Sequence, residues 1–240
     1  MRVPFPALKT MVTVFLLLMG NMSPVVPRSS IPLNKVKVLA YEVVTSGNSL
    51  NGVTLQDLAD TEYDVTCVVQ VENWTRYPLM TPRQRIANDG AWTTYPVAIL
   101  PGKREAFAVR KASGVKEGVY GIVSWELLGA RRRFVIMWSA PYDLNKYSNW
   151  MGLGMTREGL TDVAPGDTWF NQMYSDKSSG SLTFERKEFY YNTDPVIYRN
   201  AKFEAEGAMT NGNHAQVKVV VRPTRNNWKD LADEIRQKLV

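Results

Sequence analysis

The sequence predicts an all-β core, an antiparallel β-sandwich, flanked by short helices. Three observations carry that prediction. From Val65 onward, short apolar or period-two runs recur, as half-buried strands require. The separators Asn88-Asp89-Gly90, Pro101-Gly102, Ala112-Ser113-Gly114, Gly129-Ala130 and Asn211-Gly212-Asn213 are turn chemistry at fairly regular intervals. With 240 residues and 45% hydrophobic content, the chain can bury a full core, and its single cysteine allows no internal disulfide.

At the N-terminus, Arg2 and Lys9 precede an apolar run from Met11 to Met19, followed by Gly20 and Ser23. That charged, apolar, small-residue order predicts a secretory signal over 1–23, with a short pro-segment to about 28 around Pro24, Pro27 and Arg28. The run is only about half of the roughly 20 residues that span a bilayer. Export to the extracellular side is therefore expected. The formal charge of +6 falls by three if Arg2, Lys9 and Arg28 leave with the leader.

Residues 29–63 form a separate N-terminal segment with conflicting signals. Val36, Leu39, Ala40, Val43, Val44, Gly47 and Leu50 share one helical face, opposite Glu42, Ser46, Ser49, Gln56 and Asp60. The β-branched residues and the pairs Gly47-Asn48 and Asn51-Gly52 favour instead a strand and a turn. Thr54-Leu55-Gln56-Asp57 resembles a capping box with Asp in place of Glu. The balance predicts strand, turn and a short helix starting near Thr54.

The sandwich is expected over 64–223, with strands at Val65–Val71, Tyr95–Leu100, Ala106–Val109, Val119–Trp125, Phe134–Trp138 and Ala215–Val221. Cys67 reads as a small buried hydrophobe within the first of these. Asn73-Trp74-Thr75 is a glycosylation sequon. From Gly152 to Ser181 the rhythm breaks into polar, Gly/Ser-rich sequence, predicting a long loop with a short helix near Thr168–Tyr174. Over 224–240, Trp228, Leu231, Ala232, Ile235 and Leu239 recur at helical spacing, predicting a C-terminal amphipathic helix that docks on the protein's own body or, alternatively, contacts a membrane or partner.

Composition argues against several function classes. His214 is the only histidine, and it reads as a strand-entry residue; no metal-ligand spacing, nucleophile elbow or phosphate loop is present. No catalytic residue, metal or cofactor is expected. Arg131-Arg132-Arg133 is a single basic cluster that reads as a solvated turn, and no nucleic-acid partner is expected.

The most informative string follows the apolar run Phe134–Trp138: Ser139-Ala140-Pro141-Tyr142-Asp143-Leu144-Asn145-Lys146-Tyr147-Ser148-Asn149-Trp150. Pro, Asp, Asn and Ser mark turns, while Tyr and Trp suit a membrane–water boundary. The string closely resembles the Ser-x-Pro-Tyr-Asp-x-Asn-x-Tyr-Ser-Asn-Trp segment of the actinoporins. Gly118-Val119-Tyr120-Gly121-Ile122-Val123, Glu188-Phe189-Tyr190-Tyr191-Asn192 and Met209–Ala215 resemble further segments of that family. The insertion before Tyr190 and the form Arg186-Lys187-Glu188-Phe189 look more like its gastropod cytolysins, the conoporin, coluporin and echotoxin-like members, than its sea-anemone ones.

The resemblance implies a secreted cytolysin that binds sphingomyelin or other phosphocholine lipids, drives an N-terminal helix through the target membrane, and oligomerises into a cation-permeable, haemolytic pore. It implies a phosphocholine site lined by Ser139, Pro141, Tyr147, Tyr190 and Tyr191, with Val115 at its wall. Tyr174 is a further candidate, or Arg186 if the helix is aligned without a gap. Tyrosine faces hold a quaternary ammonium by cation–π attraction of about 0.5–2 kcal/mol each. Trp150 would anchor at the interface. Lys146 stands where a second membrane-facing tryptophan is usual and Met151 replaces the next aromatic, so the loop is expected to bind lipid less strongly or to prefer phosphate-rich surfaces through Lys146 snorkelling. The family's Arg-Gly-Asp triplet is absent, with Arg199-Asn200-Ala201 nearby. If 33–60 became one helix it would reach about 42 Å, against a hydrocarbon core of about 30 Å. The alternative is a secreted lectin-like or lipid-headgroup-binding sandwich that never inserts.

Overall fold

The computed structural model describes residues 31–46, 55–59 and 62–239. The predicted leader and pro-segment, and Gly47, Ser49, Leu50, Thr54 and Asp60, lie outside the described residues. Eleven strands form two sheets packed face to face. Sheet one has the order β3 (Ala91–Thr94), β4 (Lys103–Arg110), β1 (Thr66–Asn73), β11 (His214–Pro223), β10 (Phe203–Met209), β9 (Val196–Arg199). Sheet two runs β2 (Leu79–Ile86), β5 (Val119–Leu127), β6 (Arg132–Ala140), β7 (Asn149–Thr156), β8 (Leu182–Phe189). All pairs are antiparallel except β1 with β11, where Thr66 lies opposite His214 and Asn73 opposite Val221.

Alternate residues of both sheets meet in the core. Val65, Cys67, Val69 and Val71 on one side face Phe134, Ile136, Trp138 and Ala140 on the other, with Phe107 against Trp138 at 5.4 Å and Trp125 at 6.2 Å. Cys67 is fully buried, and burial pushes its thiol far above the ordinary range, so it is an inert core residue. The outer faces are covered as well. Helix α1 (Leu33–Ser46) and the short α2 (Leu55–Ala59) lie on sheet one, and α3 (Thr168–Ser175) lies on sheet two. Two-sided cover explains why β1 and β6 are buried at every position, the apolar run Phe134–Trp138 of β6 and the polar Gln70, Glu72 and Asn73 of β1 included.

Several expectations need correction. Leu33–Ser46 is a helix and not a strand. Its β-branched residues cost only a few tenths of a kcal/mol each, less than is gained by burying Val36, Ala40, Val43 and Val44 on the body. Tyr95–Leu100 is not a strand. Pro96 and Pro101 interrupt pairing, and the segment makes one isolated bridge, Leu79 with Ile99, while the strand lies just before it at Ala91–Thr94. Gly152–Thr156 continues β7 rather than opening a loop. There Gly154 is required by space, since a Cβ would stand 2.6 Å from the Thr183 carbonyl oxygen of β8.

Of the arginine cluster only Arg131 is an exposed turn residue; Arg132 and Arg133 begin β6 and are buried. Arg133 is buried, donating from Nε to Ser124 Oγ (3.0 Å) and from one Nη to the carbonyls of Thr81 (2.7 Å) and Ser124 (2.9 Å). Burial lowers its pKa from the ordinary value. The C-terminal stretch is not one helix. A 3-10 turn at Arg225–Asp230 is followed by extended Leu231 and Ala232, and only Asp233–Gln237 is α-helical (α4). The sequon is a structural turn: Asn73 is wholly buried, its Nδ2 donating to the carbonyls of Tyr77 and Ile99 while its Oδ1 accepts from Thr75 N and Oγ1. No glycan fits there in the folded state.

Candidate functional site

At one end of the sandwich, where β6 ends and β7 begins, the loop 141–148 forms one side of a cavity of about 590 Å³. Local chemistry shapes the loop. The Asp143 carbonyl accepts from the amides of Lys146 (3.2 Å) and Tyr147 (3.0 Å), and its Oδ1 accepts from Asn145 N (3.1 Å). Asn213 Nδ2 donates to the carbonyls of Pro141 (3.2 Å) and Tyr142 (2.9 Å), and Asn149 Nδ2 to those of Thr210 and Gly212. The β10–β11 turn thereby locks the loop. Lys146 Nζ stands 3.2 Å from Asp143 Oδ2; that hydrogen bond and the Asn145 amide hold the Asp143 carboxyl below its ordinary pKa.

The opposite wall is an aromatic column built from β5 and α3. Tyr120 stacks on Phe170 (centroids 5.2 Å), Phe170 on Tyr174 (5.5 Å), and Tyr174 meets Trp150 edge-on at 6.2 Å. The column sits where it does because α3 buries Trp169, Phe170 and Met173 against Ile122, Val135, Met137, Leu182 and Phe184 of sheet two. Helical spacing then leaves Tyr174 one turn beyond Phe170, facing the cavity mouth.

Carboxylates outnumber cations among the lining residues, although Asp143 pairs with Lys146 at 3.2 Å and Asp167 with Arg85 at 2.9 Å. Glu117, Asp143 and Asp167 line it, with Lys116 as the one cation among its lining residues. Tyr120 reports that field: burial first, then the carboxylates of Glu117, Asp167 and Asp89, raise its phenol above the ordinary pKa. An apolar, aromatic-walled cavity with surrounding carboxylates suits an organic cation too large and too weakly hydrated to be held by one ion pair. No three His, Cys, Asp or Glu side chains among the described residues are grouped to hold a metal.

Of the residues expected at a headgroup site, Ser139, Pro141, Tyr147 and Tyr174 line this cavity. Val115, Tyr190 and Tyr191 do not. The Val115 carbonyl accepts from Lys111 Nζ at 2.7 Å, beside the cavity. Tyr190 and Tyr191 follow β8 at the same end of the molecule, their rings 4.1 Å apart, with Tyr191 93% exposed. Arg186 lies on β8 and donates to the Met173 carbonyl, bracing α3 instead of entering the cavity. Trp150 is half-buried at the base of the column, and Lys146 is exposed on the loop.

Sequence reading missed Tyr120, Phe170, Tyr142, Glu117 and Asp167. A signal existed for Tyr120, since Val119, Val123 and Trp125 pointing inward put it on the outer face, opposite Ser139 in register. Phe170 and Tyr174 had the i, i+4 spacing of one helical face.

No protein-family model matches the chain. It is 65% identical over 239 residues to conoporin-Cn1 of Conus consors, covering 100% of this chain and 95% of that one. It is 58% identical over 190 residues to tereporin-Ca1 of Terebra anilis, covering 78% of this chain and all of that one. The solved structure of the lipid-binding protein Nakanori superposes with a TM-score of 0.50 at 14% identity over 79% of each chain, a likeness of fold alone. The chain belongs to the actinoporin-like toxins of gastropods, alongside the conoporins and tereporins.

Proposed function

We propose that the protein is a secreted pore-forming cytolysin that docks on phosphocholine headgroups, sphingomyelin foremost, and then inserts its N-terminal segment into the bilayer. In this reading the trimethylammonium sits against the faces of Tyr147, Tyr174 and Tyr120, with Glu117, Asp143 and Asp167 supplying the negative field. The Ser139 hydroxyl and Lys116 meet the phosphate. Trp150, Lys146, Tyr190 and Tyr191, all at the same end, contact the surrounding interface. The single observation that carries the reading is the aromatic and acidic cavity at the tip that also presents the exposed loop Pro141–Ser148. Its relatives' names, a conoporin and a tereporin, support pore formation.

Insertion needs the segment 33–60 to act as one helix. Several copies would then turn the Glu42 and Gln56 face toward water, giving an oligomeric, cation-permeable pore and lysis of the target cell. One observation favours the second reading, a headgroup-binding module that never inserts. Among the described residues no helix is long and apolar enough to cross a membrane; α1, with 14 residues, reaches about 21 Å.

Dye release from phosphatidylcholine vesicles with and without sphingomyelin, for the mature protein and for a chain lacking 33–60, separates the two. Leakage is expected only with both sphingomyelin and the segment. Vesicle binding without leakage would leave the module.

A further inference from the structure

The C-terminal stretch that follows the sandwich joins the body on one side and α1 on the other. On the body side it is held by backbone pairing. Thr75 bridges Leu231, the Ala232 amide donates to the Trp74 carbonyl (2.9 Å), and the Arg76 amide donates to the Asp230 carbonyl (2.8 Å), with an Arg76–Asp230 ion pair at 3.1 Å. These bonds fasten the stretch to the end of β1, a strand with a neighbour on each side and cover on both faces. Leu231, Ala232 and Ile235 are wholly buried.

On the other side it meets the second half of α1. Around Gly102, in the turn before β4, a Cβ would stand 3.3 Å from Glu234 Oε2, 3.5 Å from Val43 Cγ1 and 3.6 Å from Ala232 Cβ. The turn, α1 and the C-terminal stretch therefore converge on one point, and Gly102 itself adopts φ +67°, which favours glycine. One turn further along α4, Lys238 Nζ pairs with Glu42 Oε2 of α1 at 3.1 Å. The first half of α1 is held separately, by Lys37 on Glu206 of β10 at 3.0 Å.

We propose that residues 231–238 are a clamp that keeps α1 on the body until the membrane draws it away. The clamp rests on the reading of α1 as the segment that leaves. Its asymmetry is what makes it a clamp. Two backbone hydrogen bonds, which together make the Thr75–Leu231 bridge, and the Arg76–Asp230 ion pair tie it to the strand end, where they survive departure of the helix. The part that opens is its contact with α1, which includes Val43 beside Ala232 at Gly102 and the solvent-exposed Lys238–Glu42 pair. An exposed pair of this kind contributes little and is screened by salt, so the hold rests on apolar packing: α4, whose buried residue is Ile235, contacts α1, and Ala232 lies near Val43.

Hydrogen exchange of the mature, membrane-free protein tests this without reference to pore formation. Ile235→Ala is expected to raise exchange of the 33–46 amides on the order of tenfold, and Lys238→Glu about two- to threefold, with β1 and β11 unchanged in both. Lys238→Glu is included because its site is exposed and the fold does not depend on it. Unchanged exchange of 33–46 in both variants would overturn the clamp. So would a rise of equal size in β1 and β11, which would make the stretch general support for the sandwich. Faster exchange of 33–46 with no leakage from sphingomyelin vesicles by any form, the parent included, leaves the clamp standing and removes the pore reading.

Discussion

The two outer faces of the sandwich carry helices of opposite character. Under α3 the contact is apolar: Trp169, Phe170 and Met173 lie on Ile122, Val135, Met137, Leu182 and Phe184. Under α1 the sheet presents charge. Arg222 bonds both Glu204 and Glu206, and Glu206 accepts from Lys37 of the helix. Beside them Glu72 is buried, accepting from Gln70 Nε2 and Trp74 Nε1 at 3.0 Å each, and burial raises its pKa. An apolar seat loses stability in proportion to the area exposed, so α3 is a fixed wall for the cavity. The seat of α1 is mixed: Val36, Ala40, Val43 and Val44 are buried there beside the ion pairs, and the charged part of it can exchange protein partners for water at small net cost in the departure proposed above.

The largest effect that would break this contrast lies under α3. Trp169→Ala is expected to cost about 3–5 kcal/mol of global stability in denaturant unfolding. Val44→Ala under α1 should cost about 1–2 kcal/mol. Equal losses would mean that both helices are integral to the fold.

Next in size is headgroup binding. Tyr174→Ala removes the cavity end of the column and should weaken vesicle binding about tenfold, within the range of one cation–π contact. Tyr191→Ala, outside the cavity, should change it less, and a larger loss at Tyr191 would move the site to the β8 loop.

Acid should act on one face only. Burial works against the Glu206 carboxylate, but its bonds from Arg222 and Lys37 prevail and hold its pKa below the ordinary value. Its stabilising contribution is therefore complete above that ordinary value and lost as pH falls through the lowered one. Exchange of 33–46 should rise below about pH 4 while α3 stays protected. Glu72 changes in the opposite sense, because its raised pKa means that protonation relieves the sheet beneath. Loss of protection in α3 over the same range would end the distinction. The smallest expected effect is Lys37→Ala, at most about 1 kcal/mol, read as a modest rise in α1 exchange at neutral pH.

Legibility in the sequence followed the cover on each strand. β1, β4, β5, β6 and β11 were readable because their apolar runs are unbroken or alternate cleanly. β10 alternates too, with Phe203, Ala205, Gly207 and Met209 between Glu204 and Glu206, but its outward carboxylates bond Arg222 and Arg199 rather than water, a partnership no local pattern displays. β2 was hidden by Pro82 and by the irregular register between Met80 and Arg83, where Thr81 has φ +44°. Arg133 looked solvated because its acceptors, Ser124 of β5 and Thr81 of β2, belong to other strands, nine and 52 residues away in the chain.

The sequence by itself determined the sandwich class, the buried thiol, the helix at Thr168–Tyr174, and the loop Ser139–Trp150 with its family. Those depend on local periodicity and on side chains carried by one short segment. Tertiary structure decided which aromatics share the cavity, bringing Tyr120 and Phe170 in and leaving Tyr190 and Tyr191 outside. It also decided that Leu33–Ser46 is helical and what it rests on. The physical reason is common to both: strand register and helix seating are fixed by contacts between residues far apart in the chain, and a one-residue change of register turns every side chain of a strand to the other face.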